Sequence, residues 1–211
     1  MTFEYCEYTF NKLSDKSKEK ARDNVRCDGN YPYWDWWDDF FETATNIAKC
    51  LGFDTGTKLS ASGKKVPIFD ISFSGFYSQG NSASFSGEYS YNPNAIEQVS
   101  ECTTCEKIIE IAVELTTMQI TQRLRGYKHF QASITQNGRY SHSGSMSSSI
   151  DDYGNEDEVG FPDEDRFNEL MVVFADWMYK SLEAEYNHLM SDEVIDSYLE
   201  EEKFDASGAT I

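Results

Sequence analysis

Two side chains capable of acid–base chemistry, Tyr140 and His142, stand close together in the sequence. A catalytic site built on them would need a nucleophile together with a base and an orienting partner. The chain has no GxSxG nucleophile elbow, no glycine-rich phosphate loop and no HExxH zinc motif. We therefore predict a binding protein without catalytic residues, and an enzyme that uses His142 remains open as the minor alternative.

The cysteines offer a second kind of chemistry at Cys102-x-x-Cys105. This spacing suits half of a zinc site, or a redox pair at the start of a helix. A structural zinc site needs four ligands, and Cys6, Cys27 and Cys50 form no second pair in the sequence. An odd number of cysteines at irregular spacing is typical of reduced thiols. We expect no metal and no cofactor, but both alternatives for this pair remain open.

A polar turn at residues 77–82 could bind a ligand through its side chains. Gly75 and Gly80 would let another backbone approach this turn closely. The neighbouring strands are rich in serine, which would give the sheet one small, polar face. In the alternative interpretation the side chains only satisfy the turn, with Gly80 at positive φ. The candidate binding residues here are Tyr77, Ser78, Gln79, Tyr140 and His142.

The charge of the chain is strongly negative and uneven. The net charge is −19, and the part from Asp151 to the end contributes −16 of it, with 19 acidic residues against Arg166, Lys180 and Lys203. Such a surface repels nucleic acid and attracts basic proteins. No apolar run approaches the ~20 residues that span a bilayer, so we expect no membrane association.

The late acidic residues are spaced for one outer helical face. Asp165 and Glu169 lie one turn apart, about 6 Å along a helix axis, which is close to the spacing of phosphates along a nucleic-acid strand. Carboxylates with this spacing could occupy the basic groove of a nucleic-acid-binding protein. The predicted partner-binding residues are Asp165, Glu169, Asp176, Glu183, Asp192, Glu193, Asp196, Glu200 and Glu201.

Hydrophobic periodicity and turn signals predict an α+β fold. We expect a four-stranded antiparallel sheet of two hairpins packed with helices, in a single domain over residues 1–205, with an acidic helical part at 151–205 and a frayed tail at 206–211. A two-residue turn at Asn137-Gly138 would pair Ile134 with Ser141, unless a bulge or a longer loop shifts the register. Predicted strands lie at 3–10, 66–76, 83–91, 127–136 and 139–149, and predicted helices at 15–26, 34–51, 105–124, 165–190 and 192–202. Ser14 and Ser191 are the predicted N-caps of the first and last helices, and Gly52 is the predicted end of the second. The helix at 165–190 has a predicted apolar stripe of Phe167, Leu170, Met171, Phe174, Trp177, Met178, Leu182, Tyr186 and Leu189.

One segment resembles a family of small bacteriophage-encoded proteins. It reads FSGFYSQG at 73–80, followed by Ala83-Ser84-Phe85 and Gly87. The early helix from Leu13 to Arg22 and the segment from Gly138 to His142 are also similar to members of this family. At Asn81 the chain departs from the acid expected there. The resemblance implies a phage origin and, with it, the cytoplasm of an infected bacterial host.

Charge and resemblance together predict a phage inhibitor of a host nucleic-acid-binding defence protein, of the anti-CRISPR or anti-restriction type. The acidic face would mimic DNA and bind a host protein with a basic surface, without direct nucleic-acid binding. The alternative is a non-catalytic recognition module that uses the turn at 77–82 and the serine-rich sheet face. The host target, the oligomeric state, and any pairing of the basic first helix with the acidic tail remain open.

Overall fold

The computed structural model describes residues 7–29, 31–32, 35–136, 141–151 and 163–211. These contain strands β1 (Tyr8–Thr9), β2 (Thr57–Leu59), β3 (Lys65–Pro67), β4 (Asp70–Phe73), β5 (Ala83–Tyr89), β6 (Gln131–Gln136), β7 (Met146–Asp151) and β8 (Lys203–Phe204), and helices α1 (Asp15–Cys27), α2 (Asp38–Leu51), α3 (Ala95–Cys102), α4 (Glu106–Leu124), α5 (Glu164–Leu189) and α6 (Asp192–Leu199). The mixed α and β architecture with antiparallel sheets agrees with the prediction.

The chain divides into two compact units. The smaller unit comprises Met1–Asp38 and Leu182–Ile211, and the larger unit comprises Asp39–Ser181. Helix α5 contributes residues to both units. The prediction of a single domain over residues 1–205 is therefore not confirmed, and each unit is described separately below.

Helices α1 and α6 form the smaller unit with the strand pair β1–β8. Each helix starts at a serine whose side chain accepts a backbone hydrogen bond, Ser14 from Ser17 and Ser191 from Val194, as expected for N-caps. Ser14 as the cap of the first helix and Ser191 as the cap of the last were both predicted correctly. The core of this unit is formed by Phe10, Leu13, Ala21, Val25, Ile195, Leu199 and Phe204.

The last residues are held to the smaller unit, although a frayed tail was expected at 206–211. The N–H of Ile211 donates to the carbonyl of Lys203, and Thr210 pairs with Phe204. Gly208 has φ +84°, and a Cβ there would lie 2.2 Å from the carbonyl oxygen of Ser17. The close approach of the two backbones at this position requires glycine.

The larger unit contains a four-stranded antiparallel sheet in the order β4-β5-β6-β7. The predicted hairpins are both present as β4–β5 and β6–β7. The single-sheet prediction was incomplete, because β2–β3 and β1–β8 form two further two-stranded sheets. Helix α3 was not predicted, because its eight residues fall between a turn and a longer helix and carry too little periodicity.

The register of the second hairpin differs from the two-residue-turn prediction. Ile134 pairs with Ser148 and Ser133 with Ser149, so the two strands are not joined by a two-residue turn. Residues 137–140, which include the predicted Asn137-Gly138 turn, lie outside the described residues. The register follows burial, because it places Ile134 and Ala132 on the covered face of the sheet.

Alternation gives this sheet one apolar and one polar face. The apolar face carries Ile71, Phe85 and Tyr89 and packs in a core that also contains residues of α2, α4 and α5. The opposite face is small and polar, as the serine pattern predicted. Its side chains are Asp70, Ser72, Ser84, Ser86, Glu88, Gln131, Ser133, Thr135, Ser147, Ser149 and Asp151.

Gly52 ends α2 as predicted and admits a close contact with the chain after β5. Its φ is +114°, and a Cβ there would lie 2.2 Å from the carbonyl oxygen of Ser90. Its N–H bonds back to Ala48, and its carbonyl accepts from Ser90 N–H at 3.0 Å. The glycine thus ends the helix in the left-handed conformation usual for this position.

Ser82 and Ser84, next to and on the polar face of the sheet, differ in the hydrogen bonds of their hydroxyl groups. Their replacement by alanine should therefore change the free energy of unfolding differently. The hydroxyl of Ser84 is fully buried and has no hydrogen-bond partner among the described residues. The hydroxyl of Ser82 accepts from the N–H of Ser143 at 3.2 Å. We expect Ser84→Ala to be neutral or stabilising by up to about 1 kcal/mol, and Ser82→Ala to destabilise by about 1–2 kcal/mol, because it leaves a buried donor unpaired.

The measurement is urea denaturation of both variants beside the wild type, followed by circular dichroism. The two substitutions remove the same atom from positions two residues apart, so each serves as the control for the other. A loss above about 1 kcal/mol in Ser84→Ala would show that its hydroxyl has a partner and would contradict the prediction.

Candidate functional site

Tyr77 is the most unusual residue of the turn between β4 and β5. Its φ is +65°, and within the described part of the chain no other non-glycine residue has a positive φ. Its side chain is 73% exposed. A large residue in the left-handed region costs about 1–2 kcal/mol, and such strain clusters at functional sites. The turn therefore holds an aromatic ring in solvent at a conformational cost.

Half-buried aromatic rings lie next to Tyr77. Phe76 contacts the rings of Tyr77, Phe73 and Tyr179, with centroids 6.4, 5.8 and 5.6 Å away. Phe73 also meets Phe41 of α2 edge-on at 6.3 Å. This aromatic cluster connects the exposed ring with rings that pack against the core of the larger unit. The turn therefore has a packed base.

Serine side chains tie the base of the turn to the segment after β6. The hydroxyl of Ser74 donates to the carbonyl of Ser141 at 3.1 Å, and Ser82 bonds Ser143 as described above. Ser74 N–H also donates to the carbonyl of Ser82 at 3.1 Å, which closes the turn. The structure thus brings the two predicted segments together, although they are about 60 residues apart.

His142 lies on this second segment and is exposed. Its Nδ1 accepts the N–H of Gly144 at 2.8 Å, so this nitrogen caps a local turn. Ser78 and Gln79 are exposed in the first segment. Tyr140, the remaining residue of this predicted group, lies outside the described residues. We call residues 73–82 together with 141–145 the aromatic turn site.

The predicted acidic array is divided between the two units. Asp165, Glu169 and Asp176 belong to the larger unit, and Glu183 to the smaller. The others lie on α6 or directly after it: Asp192, Glu193, Asp196, Glu200 and Glu201. The predicted apolar stripe of α5 is buried at most positions, among them Phe167, Phe174, Met178 and Leu182.

The basic first helix pairs with part of this array. Arg22 donates to both carboxylate oxygens of Asp196 at 2.6 and 2.7 Å, and Arg26 donates to Asp192. Hydrogen bonds from Arg22 outweigh burial and lower the pKa of Asp196. The question left open by the sequence is answered here, because α1 neutralises two of the nine predicted partner-binding carboxylates within the same chain.

A third predicted acid is also paired. Arg166 bonds the carboxylate of Glu114 on α4 at 2.5 and 2.7 Å, and that of Glu169 at 2.7 Å. These hydrogen bonds raise the pKa of Arg166. The six remaining acids make no ion pair with any described residue: Asp165, Asp176, Glu183, Glu193, Glu200 and Glu201.

The cysteines are arranged differently from the predicted alternatives. The Sγ of Cys102 lies 3.3 Å from the Sγ of Cys50. Among the described residues, no three His, Cys, Asp or Glu side chains converge on a possible metal site. Residues 152–162 lie outside the described residues. No helix in the described ranges is both long and apolar enough to cross a membrane.

Sequence reasoning selected the turn but missed the rings behind it. Tyr77 was chosen for its polar neighbours, whereas its exposed ring and its positive φ are what distinguish it. Phe41 and Tyr179 come from distant helices, so no local pattern could have placed them beside Phe73 and Phe76. The Ser74–Ser141 contact likewise depends on the register of β6 and β7.

A family model described as a domain of unknown function (DUF8835) matches residues 36–192, and the chain belongs to this family. The match covers about three quarters of the chain and includes both segments of the aromatic turn site and all of α5. Helix α1 and residues 193–211 lie beyond it. No curated protein and no solved structure matches the chain.

The Arg22–Asp196 pair makes a pH-dependent contribution to stability. The pKa of the Asp196 carboxyl is lower in the folded protein than in the unfolded chain, where it is about 3.9. The pair therefore stabilises the fold fully at pH values above about 3.9. This stabilisation is lost as the pH falls through the lowered pKa of the folded state. We expect Asp196→Asn to lower the free energy of unfolding by about 1 kcal/mol at pH 7, after allowance for solvent screening.

Urea denaturation measures the difference in free energy of unfolding between the variant and the wild type. It is carried out at pH 7 and in steps down to about pH 2, and the difference should shrink below about pH 4. Glu193→Gln, on the same helix and without an ion pair to the described residues, is the matched control and should change little at either pH. An equal loss in both variants would assign the effect to net charge and contradict the pair.

Proposed function

We propose that this member of the DUF8835 family is a non-catalytic recognition protein that binds a partner protein through the aromatic turn site. The observation that carries the proposal is the exposed ring of Tyr77 at positive φ. Glycine would occupy this backbone conformation at lower cost. A strained aromatic residue in solvent is therefore better explained by a contact with a partner than by folding.

The surroundings of Tyr77 suit an interface centre. Hot spots of protein interfaces are enriched in tyrosine and tryptophan on well-packed surroundings. Here Phe76 and Phe73 back the ring, and the hydrogen bonds of Ser74 and Ser82 fix the base of the turn. A ring restrained in this way loses little conformational entropy on binding, which favours affinity.

The type of partner follows from exposure and charge. A ring that is 73% exposed offers its area to another surface, whereas small molecules are usually held in concave pockets. The aromatic turn site contains no Asp, Glu, Lys or Arg in segments 73–82 and 141–145, and His142 is its one titratable base. Binding should therefore depend on apolar and hydrogen-bonding contacts and should change little with salt.

Replacement of Tyr77 by glycine separates binding from folding. Tyr77→Gly removes the ring and relieves the backbone strain, so we expect unchanged or higher thermal stability together with binding weakened by at least about tenfold. Tyr77→Phe keeps the ring and should retain most of the binding. The measurement is capture of bacterial host proteins by the tagged full-length chain, quantified by mass spectrometry, with melting temperatures recorded in parallel.

Leu59→Ala is the matched control, because Leu59 is a large apolar residue of the same unit with 71% exposure. It should leave the captured proteins unchanged. If Tyr77→Gly captures the same proteins in the same amounts as the wild type, the aromatic turn site is not the binding surface.

The acidic surface supports a second candidate function. In this proposal the chain is a phage protein that inhibits a host nucleic-acid-binding defence protein by presenting carboxylates to its basic groove. The supporting observation concerns the predicted partner-binding acids of α5, of which Asp165, Asp176 and Glu183 remain outside ion pairs with the described residues. Glu169, Asp192 and Asp196 contribute less, because arginines of the chain already neutralise them.

Neutralising the three α5 acids tests this candidate. The triple variant Asp165→Asn, Asp176→Asn and Glu183→Gln should lose most binding to a basic partner, and wild-type binding should weaken steeply between low and moderate salt. The control Glu97→Gln, Glu106→Gln and Glu110→Gln changes the net charge equally at exposed positions on α3 and α4. Binding that resists salt and survives the α5 triple variant would contradict the acidic candidate.

A further inference from the structure

Two cysteine thiols meet at the ends of two helices in the larger unit. Cys50 lies in the last turn of α2 and Cys102 is the last residue of α3. Their sulfurs are 3.3 Å apart, although the residues are 52 positions apart in the sequence. Cys102 is exposed, so a small molecule in solution can reach it.

Hydrogen bonds around Asn92 hold this contact in place. The side-chain amide of Asn92 donates to the backbone carbonyl of Cys50 at 2.7 Å and to Gln98 Oε1 on α3 at 2.8 Å. One side chain therefore joins the end of α2 to α3. The two thiols are kept together by this arrangement, and their contact does not depend on the sulfurs alone.

The geometry requires only a small movement for a covalent bond. A disulfide has an S–S distance of about 2.0 Å, so the sulfurs must approach by about 1.3 Å. Both cysteines lie at helix ends next to short connections, where a change of side-chain rotamer is tolerated better than in a helix centre.

The two thiols differ in their surroundings. Burial, followed by the hydrogen bond with Cys102, raises the pKa of Cys50 to about 11. A thiol with a raised pKa provides little thiolate at neutral pH, and thiolate is the attacking form. The exposed Cys102 is consequently the sulfur that first meets an oxidant, and Cys50 is the sulfur that resolves the product.

We propose that Cys50 and Cys102 form a reversible dithiol–disulfide site that is oxidised by small-molecule disulfides of the glutathione class. The Cys102 thiolate attacks one sulfur of the oxidant, which breaks its S–S bond and releases one small thiol. Cys50 then gives up its proton and attacks the Cys102 sulfur, which releases the second small thiol. Two electrons and two protons pass from the protein thiols to the oxidant.

This assignment differs from the pairing suggested by the CxxC spacing. Cys105 precedes α4 and is packed against the core of the larger unit, whereas Cys102 contacts Cys50. The disulfide would link α2 to α3, whose cysteines are 52 positions apart in the sequence. A cross-link over such a separation restricts the conformations of the unfolded chain, so the oxidised protein should be the more stable form.

The experiment incubates the full chain with oxidised glutathione, blocks the remaining thiols with iodoacetamide under denaturing conditions and maps the peptides by mass spectrometry. We expect one cross-linked species joining Cys50 to Cys102, a mass lower by two hydrogen atoms and a higher melting temperature. Reduction with dithiothreitol should reverse all three changes.

Serine variants assign the roles of the two sulfurs. Cys50→Ser should leave Cys102 as a stable mixed disulfide with glutathione, and Cys105→Ser should form the Cys50–Cys102 cross-link as the wild type does. Two results would overturn the proposal. One is a cross-link between Cys102 and Cys105. The other is full alkylation of Cys50 and Cys102 in the wild type after oxidation, with a melting temperature equal to that of the reduced protein.

Discussion

The packing of Phe174 is the interaction on which the larger unit depends. This ring of α5 meets Phe53, Phe69 and Phe85, with centroids 6.3, 6.4 and 5.5 Å away, and stacks on Trp177 of its own helix. Because α5 is packed into the core with these rings, β4 and β5 must turn their large apolar side chains toward that core. The period of two along a strand then places serines on the other face.

The same constraint limits what the acidic residues can do. A helix that buries one stripe must carry polar residues on the remainder, so carboxylates on the outer side of α5 are expected for folding alone. Three acids of the predicted array have a demonstrable structural use, since Arg22, Arg26 and Arg166 bind Asp196, Asp192 and Glu169. Net charge therefore overstates the negative surface that a partner could meet.

Local patterns predicted most elements, and long-range geometry accounts for the rest. The caps Ser14 and Ser191 and the helix end at Gly52 depend on nearby residues, so the sequence was sufficient to place them. The register of β6 and β7 depends on which side chains the core accepts, and a turn dipeptide could not determine it. The Cys50–Cys102 contact and the rings behind Tyr77 join distant segments and leave no signature in the local sequence.

Tyr77 and the acidic residues differ in how far folding alone explains them. Surface carboxylates stabilise helix starts, pair with arginines and keep a surface hydrated, so each has a structural use without a partner. A tyrosine at φ +65° and 73% exposure is harder to explain by folding, because glycine would adopt this backbone conformation more easily. Conflict between local preference and observed structure is concentrated at functional sites in natural proteins. The turn also lies within the part of the chain that matches the DUF8835 family, whereas four acids of the array lie beyond it, namely Glu193, Asp196, Glu200 and Glu201. We therefore favour the aromatic turn site over the acidic surface as the proposed binding surface.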